Sequence, residues 1–581
     1  MKPQRFFYKS LASAVMVGLV SLNAHAFGIT GKYCDTPSRC VDPATTQGMI
    51  TTPNYLATQA GMKVLREGGN AIDAAVAALS VLTVVYPQMT TLGSDGFWLI
   101  YNAKTKEVRA INASGRSGQN ANIDFYKSKG YSEIPPRGYL SANTVPGALS
   151  GWDAAYRYGN TALGNKMPWS SLLQSAIDYA QNGFVVSPSL SRWMKIDTAT
   201  DDQKYRDLQR FPEFRHTFLK ADGSAYEAGE ILKQPDLART LKTIATDGAD
   251  AFYKGDIAKQ ITQDLQQHGG VLTYNDFATH TADWVTPIHV EYRGRTVYNL
   301  PPNTQGMASL EILNILNNFD MQKEGEGTAN YYQLMIEATK QAFADRDKYL
   351  TDPKFSKIPL DYLLSKKHGE DQAHRIDMDK AAVSVKPMDP KGDTVWVGVV
   401  DKDGNAVSIN QSIYYDFGSA IVPGGTGVLL QNRGSFFSLN PNNVNHLEPH
   451  KRTFHTLNPA MMLNNGNLEM VYGTMGGEGQ PQTQAAIATR VIDFGMSPQD
   501  AIDGPRWLYG RTWGAASNNV QIEGRVPAAV VDELVKRGQP MKVVENYTDT
   551  MGHAGAIWID QKTGVRYGAT DPRSDGLATG Y

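Results

Sequence analysis

The stretch KGDTVWVGVVDKDGNAVSI, residues 391–409, constrains the fold more than any other part of the 581-residue chain. VWVGVV and AVSI are strand-like runs, and DKDGN between them is a hairpin turn, because Asp-Gly tolerates the positive φ angles that tight turns between strands require. An antiparallel hairpin is therefore predicted to begin at Thr394. The same point divides the chain by texture. Ahead of it, PNYLATQAGMKVLREGGNAIDAAVAALSVL reads as two helices interrupted at GGN, with glycine ending the first and Asn70 capping the second. Residues 149–350 are predicted to be mostly helical, and ANYYQLMIEATKQAFADRDKYL at 329–350 is the strongest single helix, its apolar residues returning every three or four positions. GFWLIYNAKTKEVRAINAS gives two short strands around a polar turn. From about 352 to 393 the pattern is lost, and the segment reads as exposed loop or linker. After Thr394, strands are predicted at GVLLQN, PAMML, LEMVYG, AIWID and VRYGA, with helices near 482–495 and 527–537. This is an α+β organisation.

Apolar residues make up 41% of the chain, charged residues 20%, and the net charge is −2. A chain of that profile has no electrostatic reason to seek nucleic acid. At the N-terminus, Lys2, Arg5 and Lys9 precede an apolar run from Leu11 to Leu22, with small residues at Ala24 and Ala26 around a cut. Residues 1–26 thus read as a secretory signal peptide, which predicts a secreted or periplasmic protein with no membrane association after its removal. No later stretch approaches the ~18 uninterrupted apolar residues of a transmembrane helix. The two cysteines, Cys34 and Cys40, are separated by DTPSR. In an oxidising compartment they most simply close a small disulfide loop, two unpaired thiols being the alternative. Two thiols alone cannot complete a tetrahedral zinc site.

Several catalytic signatures are missing: H-E-x-x-H, G-x-x-x-x-G-K-[ST] and G-x-S-x-G. KTG at 562–564 has no S-x-x-K partner and reads as a turn. His446 and His450 in HLEPH are separated by Pro449, which spoils the helix that would align them on a metal. No metal or cofactor is expected. What remains is a hydroxyl that could carry its own base. A hydroxyl is a poor nucleophile until something takes its proton, and a threonine freed at a chain start has an α-amine of pKa roughly 8, near enough to neutrality to do so. By spacing alone, Asp-Thr ahead of a strand is also an ordinary strand start.

EGGNAIDAAVAAL at 67–79, TLGSDGFWLIY at 91–101, DTVWVGVVDKDGNAVS at 393–408, FGSAIVPGGTGVLLQN at 417–432, LNPAMM at 457–462, GTMGGEGQPQ at 473–482 and the ending YGATDPRSDGLATGY occur in the order seen in one family. Over nearly its whole mature length the chain resembles the γ-glutamyltranspeptidases, which are N-terminal-nucleophile hydrolases. The resemblance implies a four-layer αββα sandwich made as a precursor. It implies a cut before Thr394 into a large subunit, 27–393, and a small subunit, 394–581, which stay wound together as a heterodimer. It further implies Thr394 as nucleophile, Ser412 as the second hydroxyl beside it, and Gly476 and Gly477 as the oxyanion-binding pair.

At the substrate-binding positions the chain departs from the family. Where the transpeptidases place an Arg for the γ-glutamyl carboxylate, this chain has Ser114, with Arg116 two residues on. Tyr414 replaces an Asn, Arg433 and Phe436 stand in place of a Gln and an ammonium-binding Asp, and His455 and Thr456 replace a Ser-Ser pair. FFSLNPNNVNHLEPHKR is shorter than the lid of many members. Losing an acidic partner and gaining Arg433 favours an anionic or carbonyl-rich acyl group, and a short lid favours hydrolysis over transfer. The expectation is an exported, self-processing amidohydrolase acting on small-molecule amides, similar to the lidless branch that includes oxamate amidohydrolase-like and acylase-like proteins. The alternatives are a true γ-glutamyltranspeptidase or glutathione hydrolase, and an uncut, non-catalytic binding relative.

Overall fold

The computed structural model describes residues 31–33, 42–164, 167–383, 393–510 and 519–581. The expected signal peptide and both cysteines lie outside the described residues. Two seven-stranded sheets form the centre. The first runs, in spatial order, Leu577–Gly580, Met49–Thr52, Asp393–Val400, Ala406–Tyr414, Asp95–Asn102, Glu107–Ala113 and Asp283–Val285. The second runs Ala44–Thr45, Arg566–Thr570, Ala554–Ile559, Asn467–Thr474, Ala460–Asn464, Arg295–Asn299 and Ile288–Tyr292. Every neighbouring pair in both is antiparallel.

Alternation along the strands sorts the side chains into layers. Val395, Val397, Val399, Val407 and Ile409 share one core with the helices Tyr55–Arg66 and Ala71–Val85. Phe97, Leu99, Met461, Val471 and Ile557 fill the space between the sheets. Val297, Met462, Met470 and Tyr472 meet the helices Gly306–Leu316, Ala329–Tyr349 and Gly479–Ile492 on the far side. The result is the αββα sandwich. Segments on both sides of Thr394 supply strands to both sheets, so the two parts of the chain share every layer of the core.

The start of the strand after Thr394 is fixed by Trp396. Its indole lies where a Cβ on Gly473 or Gly555 of the facing sheet would come within 2.2 and 2.4 Å of it, so glycine there is a packing requirement. Trp396 Nε1 donates to Ser408 Oγ at 3.0 Å, across the hairpin. In the turn itself Gly404 has φ 85°, and Asp401 Oδ1 accepts from the N–H groups of Asp403 and Asn405. Asn70 caps its helix as expected, accepting from the N–H of Ile72 and of Asp73.

Three expectations need correction. GVLLQN is extended but makes only an isolated bridge, Leu430 to Gly93, because Gly427 turns at φ 66° and the backbone groups are taken singly by Thr91, Ile421 and Gly93. The mostly helical region 149–350 also supplies Asp283–Val285, Ile288–Tyr292 and Arg295–Asn299, strands of three to five residues at or beside the sheet edges that are largely half exposed; IHVEY alternates, but over only five residues. Within the supposed linker, the helix Lys366–Ala373 is capped by Ser365 and docks through His368 and Gln372, which both bond Asp345.

Candidate active site

Thr394 enters the first sheet at a register shift: Asp393 pairs with Tyr414 and Val395 with Gln411, which brings Thr394 alongside Ser412 and Ile413. It is 1% exposed, and its Oγ1 has no hydrogen-bond partner among the described residues. On the next strand Ser412 pairs with Asp95. Three adjacent strands therefore place Thr394, Ser412 and Asp95 in one row. Asn410 ties this row to the opposite sheet, its Nδ2 donating to Val395 O at 3.3 Å and to Thr474 O at 3.0 Å.

Thr474 ends its strand just before the Gly476–Gly477 turn. The two glycines have φ 117° and 53°, the left-handed region that glycine adopts without strain. The turn opens the helix Gly479–Ile492, whose N-terminus concentrates unpaired N–H groups. Behind it, Gln305 Nε2 donates to Gly477 O and to Thr456 O, both at 2.9 Å. Arg346 donates to Gln305 Oε1 and, at 2.7 Å, to Glu478 Oε1. The Arg346–Glu478 pair is fully buried. It clamps the turn against the helix Ala329–Tyr349.

Arg433, on the short 3-10 turn Arg433–Phe436, is also fully buried. Its Nη2 donates to Ser412 Oγ at 3.0 Å and its Nη1 to Thr456 Oγ1 at 3.3 Å. Its guanidinium lies 4.3 Å from the centre of the Tyr414 ring, which in turn packs on Phe436 at 4.9 Å. Tyr414 has φ 85°, a strained value for a non-glycine residue, and its N–H is held by Ser412 Oγ at 2.8 Å. Among the described residues no carboxylate lies within ion-pair distance of Arg433. Burial pushes its pKa down to about 10, although Tyr414 and Asp95 work in the other direction.

Asp95 is the nearest buried anion of the row. Its Oδ1 accepts from Gly115 N, Gly147 N and Gln431 Nε2, and its Oδ2 accepts from His455 Nε2 at 3.1 Å. Burial alone would raise its pKa, but His455 and Arg433 hold it below the usual carboxylate range. His455 is pushed down to about 3 by burial and by Arg433. It is therefore neutral, with Nε2–H on Asp95 and Nδ1 accepting from Leu457 N at 3.4 Å. The remaining sequence candidates sit on the flank. Ser114 Oγ donates to Asn112 Oδ1, and Arg116 is ion-paired to Asp283, whose same oxygen accepts from Arg452. His446 pairs with Glu448, and no cluster suited to a metal ion occurs among the described residues.

Asp95, Gln305, Arg346, Asn410 and Glu478 were not identified as site residues from the sequence. Asp95 and Glu478 carried a usable signal: each is a lone acid in a run of small or apolar residues, TLGSDGF and GTMGGEG, where an ionised group needs a built partner.

The γ-glutamyltranspeptidase family model matches residues 57–581. The chain belongs to that family. Among its relatives, the glutathione hydrolase-like YwrD proenzyme of Bacillus subtilis is 46% identical over 92% of this chain and 98% of that one. The oxamate amidohydrolase proenzyme of Klebsiella pneumoniae is 43% identical over 92% and 99%. The crystal structure of a cephalosporin acylase from Bacillus halodurans superposes with a TM-score of 0.85 at 37% identity, covering 94% of this chain and 98% of the other. The chain is thus a hydrolase of the N-terminal-nucleophile type, made as a self-processing proenzyme. Among the described residues no helix is long and apolar enough to cross a membrane.

Proposed function

We propose that this protein is exported, cuts itself between Asp393 and Thr394, and hydrolyses small amides whose acyl half carries a negative charge. The observation that supports the charge is Arg433. A guanidinium withdrawn from water costs several kcal/mol unless an anion and hydrogen bonds compensate it, and here its neighbours are two hydroxyls and an aromatic ring. A carboxylate on the acyl group would complete the set, in the planar geometry a guanidinium recognises. Asp95 offers no matching place for an α-ammonium, since both of its oxygens are occupied by protein donors. That counts against a free γ-glutamyl group.

In this reading the new α-amine of Thr394 takes the proton of its own hydroxyl, and Oγ1 attacks the amide carbon. The N–H groups of Gly476 and Gly477 meet the oxyanion, charge that exists only at the tetrahedral stage. The C–N bond breaks as the ammonium returns its proton to the departing nitrogen, leaving a threonyl ester that water then opens. Ser412, fixed between Tyr414 N and Arg433, orients the nucleophile, and Thr456 orients Arg433. His455 has both ring nitrogens engaged, so it positions Asp95 and moves no proton. Ser114 and Arg116, each committed to protein partners, shape the wall.

Hydrolysis in preference to transfer is supported by the segment following Phe436. Phe437, Leu439 and Leu447 are buried beside Tyr126, Ile134 and Val271, and Lys451 Nζ bonds the carbonyls of Val444 and His446. A strap tied down in this way is poorly suited to swing over the ester and exclude water. Export rests on the charge and hydropathy pattern of residues 1–26. The test is a screen of the processed enzyme against monoamides of dicarboxylic acids, their neutral counterparts and a γ-glutamyl anilide. Charge-assisted hydrogen bonds of about 1.5–3 kcal/mol predict a preference for the anionic acyl group of at least about tenfold. A preference for neutral or γ-glutamyl substrates would defeat the reading.

A further inference from the structure

The two halves of the proposed centre stand on different sheets. Thr394 opens a strand of the first, and Gly476–Gly477 follow the strand Asn467–Thr474 of the second. Hydrogen-bonded ladders fix the spacing within a sheet, whereas the spacing between two sheets is left to the side chains that meet there. Thr394 is also weakly held by its own ladder, because it lies at the register shift between Asp393 and Val395, where pairing is interrupted. Its place relative to the turn has to be set from elsewhere. Asn410 is fully buried and pairs with Trp396 on one side and Phe97 on the other. Like Ser408, whose Oγ donates to Tyr472 O at 3.4 Å, it reaches the facing strand. Asn410 makes the shorter crossing, Nδ2 to Thr474 O at 3.0 Å, and the same nitrogen donates to Val395 O at 3.3 Å. Val395 directly follows the nucleophile, and Thr474 stands two residues before Gly476. One amide nitrogen thus joins the backbone beside Thr394 to the backbone leading into the turn.

We infer that Asn410 is a positioning residue for the reaction, holding Thr394 at the distance from Gly476 and Gly477 that the tetrahedral stage requires. This rests on the proposed function above, which makes Thr394 the nucleophile and the two glycines the oxyanion-binding pair. Both acceptors of Nδ2 are carbonyl oxygens, so only the NH2 end of the amide can face them. Its Oδ1 then has no partner among the described residues, a desolvation penalty that an apolar side chain would avoid. The chain therefore keeps a buried amide that stability alone does not favour. Asn410 acts through the backbone and moves no proton. Its loss should leave substrate affinity unchanged and slow the chemical step, since a misplacement of about 1 Å between reacting groups costs up to about 100-fold in rate.

The first measurement needs no substrate. Crystal structures of Thr394→Ala with and without Asn410→Ala, two proteins in the same state of processing, give the backbone separation between position 394 and Gly476. A change of about 0.5 Å or more is expected, and an unchanged separation overturns the inference. The second is kinetics of wild type, Asn410→Ala and Asn410→Asp on the monoanilide of glutaric acid. In Asn410→Ala kcat should fall about 10- to 100-fold with KM within about threefold; an unchanged kcat, or a loss carried by KM, overturns the positioning role. Asn410→Asp keeps the shape, but its carboxyl can donate to a carbonyl only when protonated. Its kcat deficit against wild type should therefore be at least about threefold larger at pH 9 than at pH 5.5, and a deficit independent of pH overturns the donor role. The ratio to wild type removes the titrations both proteins share, those of the Thr394 α-amine, Asp95 and Arg433. Failure of wild type to cleave the anilide would refute the anionic acyl reading instead. In that case, or if a folded Asn410→Ala does not cut itself, the pair of crystal structures decides.

Discussion

Replacing Arg433 by Met separates a substrate-binding charge from a structural one. Met is similar in length, apolar and adaptable enough to fill the same space. The substitution removes two hydrogen bonds from a charged donor, worth about 1.5–3 kcal/mol each at most, with the 3.3 Å contact to Thr456 at the weak end. It also removes a fully buried charge with no carboxylate partner among the described residues, and exchanging buried ionic groups for apolar ones is commonly neutral or stabilising by about 1–4 kcal/mol. The terms nearly cancel, so unfolding stability should change by no more than about 2 kcal/mol in either direction. Loss of a structural buried pair would instead cost about 3–5 kcal/mol by stranding the partner. Activity should behave differently. Truncating a buried partner of a carboxylate costs about 2–5 kcal/mol, so kcat/KM for an anionic acyl amide should fall by a factor of about 30 or more. The neutral counterpart should change less than about threefold. The assay pairs urea unfolding at fixed protein concentration with kinetics on the two amides. A variant destabilised by more than about 3 kcal/mol, with its charge preference intact, would show that Arg433 is a structural residue and refute the reasoning.

Other consequences follow from the same geometry. Glu478→Gln takes one of two carboxylates from the fully buried Arg346 and leaves it Asp347 at 2.7 Å, so stability should drop by about 1.5–3 kcal/mol in urea unfolding, with slower turnover from a loosened Gly476–Gly477 turn. Arg433, its pKa pushed down to about 10, loses half of its charge by that pH, so KM for an anionic amide should rise on approaching and passing pH 10 while KM for the neutral one stays flat. His455 has a folded pKa of about 3, below its unfolded value near 6.5. Between those values the unfolded chain binds the extra proton, so this residue's contribution to stability is complete above about pH 6.5 and falls as the pH drops toward 3. Thermal unfolding of His455→Gln beside wild type should show a stability difference that shifts in the variant's favour across that window; a difference independent of pH would rule out a buried neutral imidazole.

What the sequence made legible was local. The hairpin after Thr394 and the helix pair around Asn70 are set by residues within about a turn of one another, and turn chemistry or capping reports them directly. The edge strands around 283–299 escaped because their faces are half exposed and their partners lie elsewhere. The site follows the same division. Thr394, Ser412 and the Gly476–Gly477 pair could be placed through the motifs shared with the family. The network that orients them could not, since Asp95 meets His455 across 360 positions and Gln305 reaches Gly477 across 172. No local pattern encodes such pairings. Arg433 was noticed as a change of charge, whereas its full burial and its hydroxyl-only hydrogen bonding became visible only when the sheets were assembled.

The most direct test of the central claim is the intact mass of purified wild type and Thr394→Ala, read beside turnover of an amide substrate. Wild type should resolve into two chains, the smaller beginning TVWVGVV, and the variant should remain one chain without activity. A variant that still parts before residue 394, or still releases product, would contradict the account.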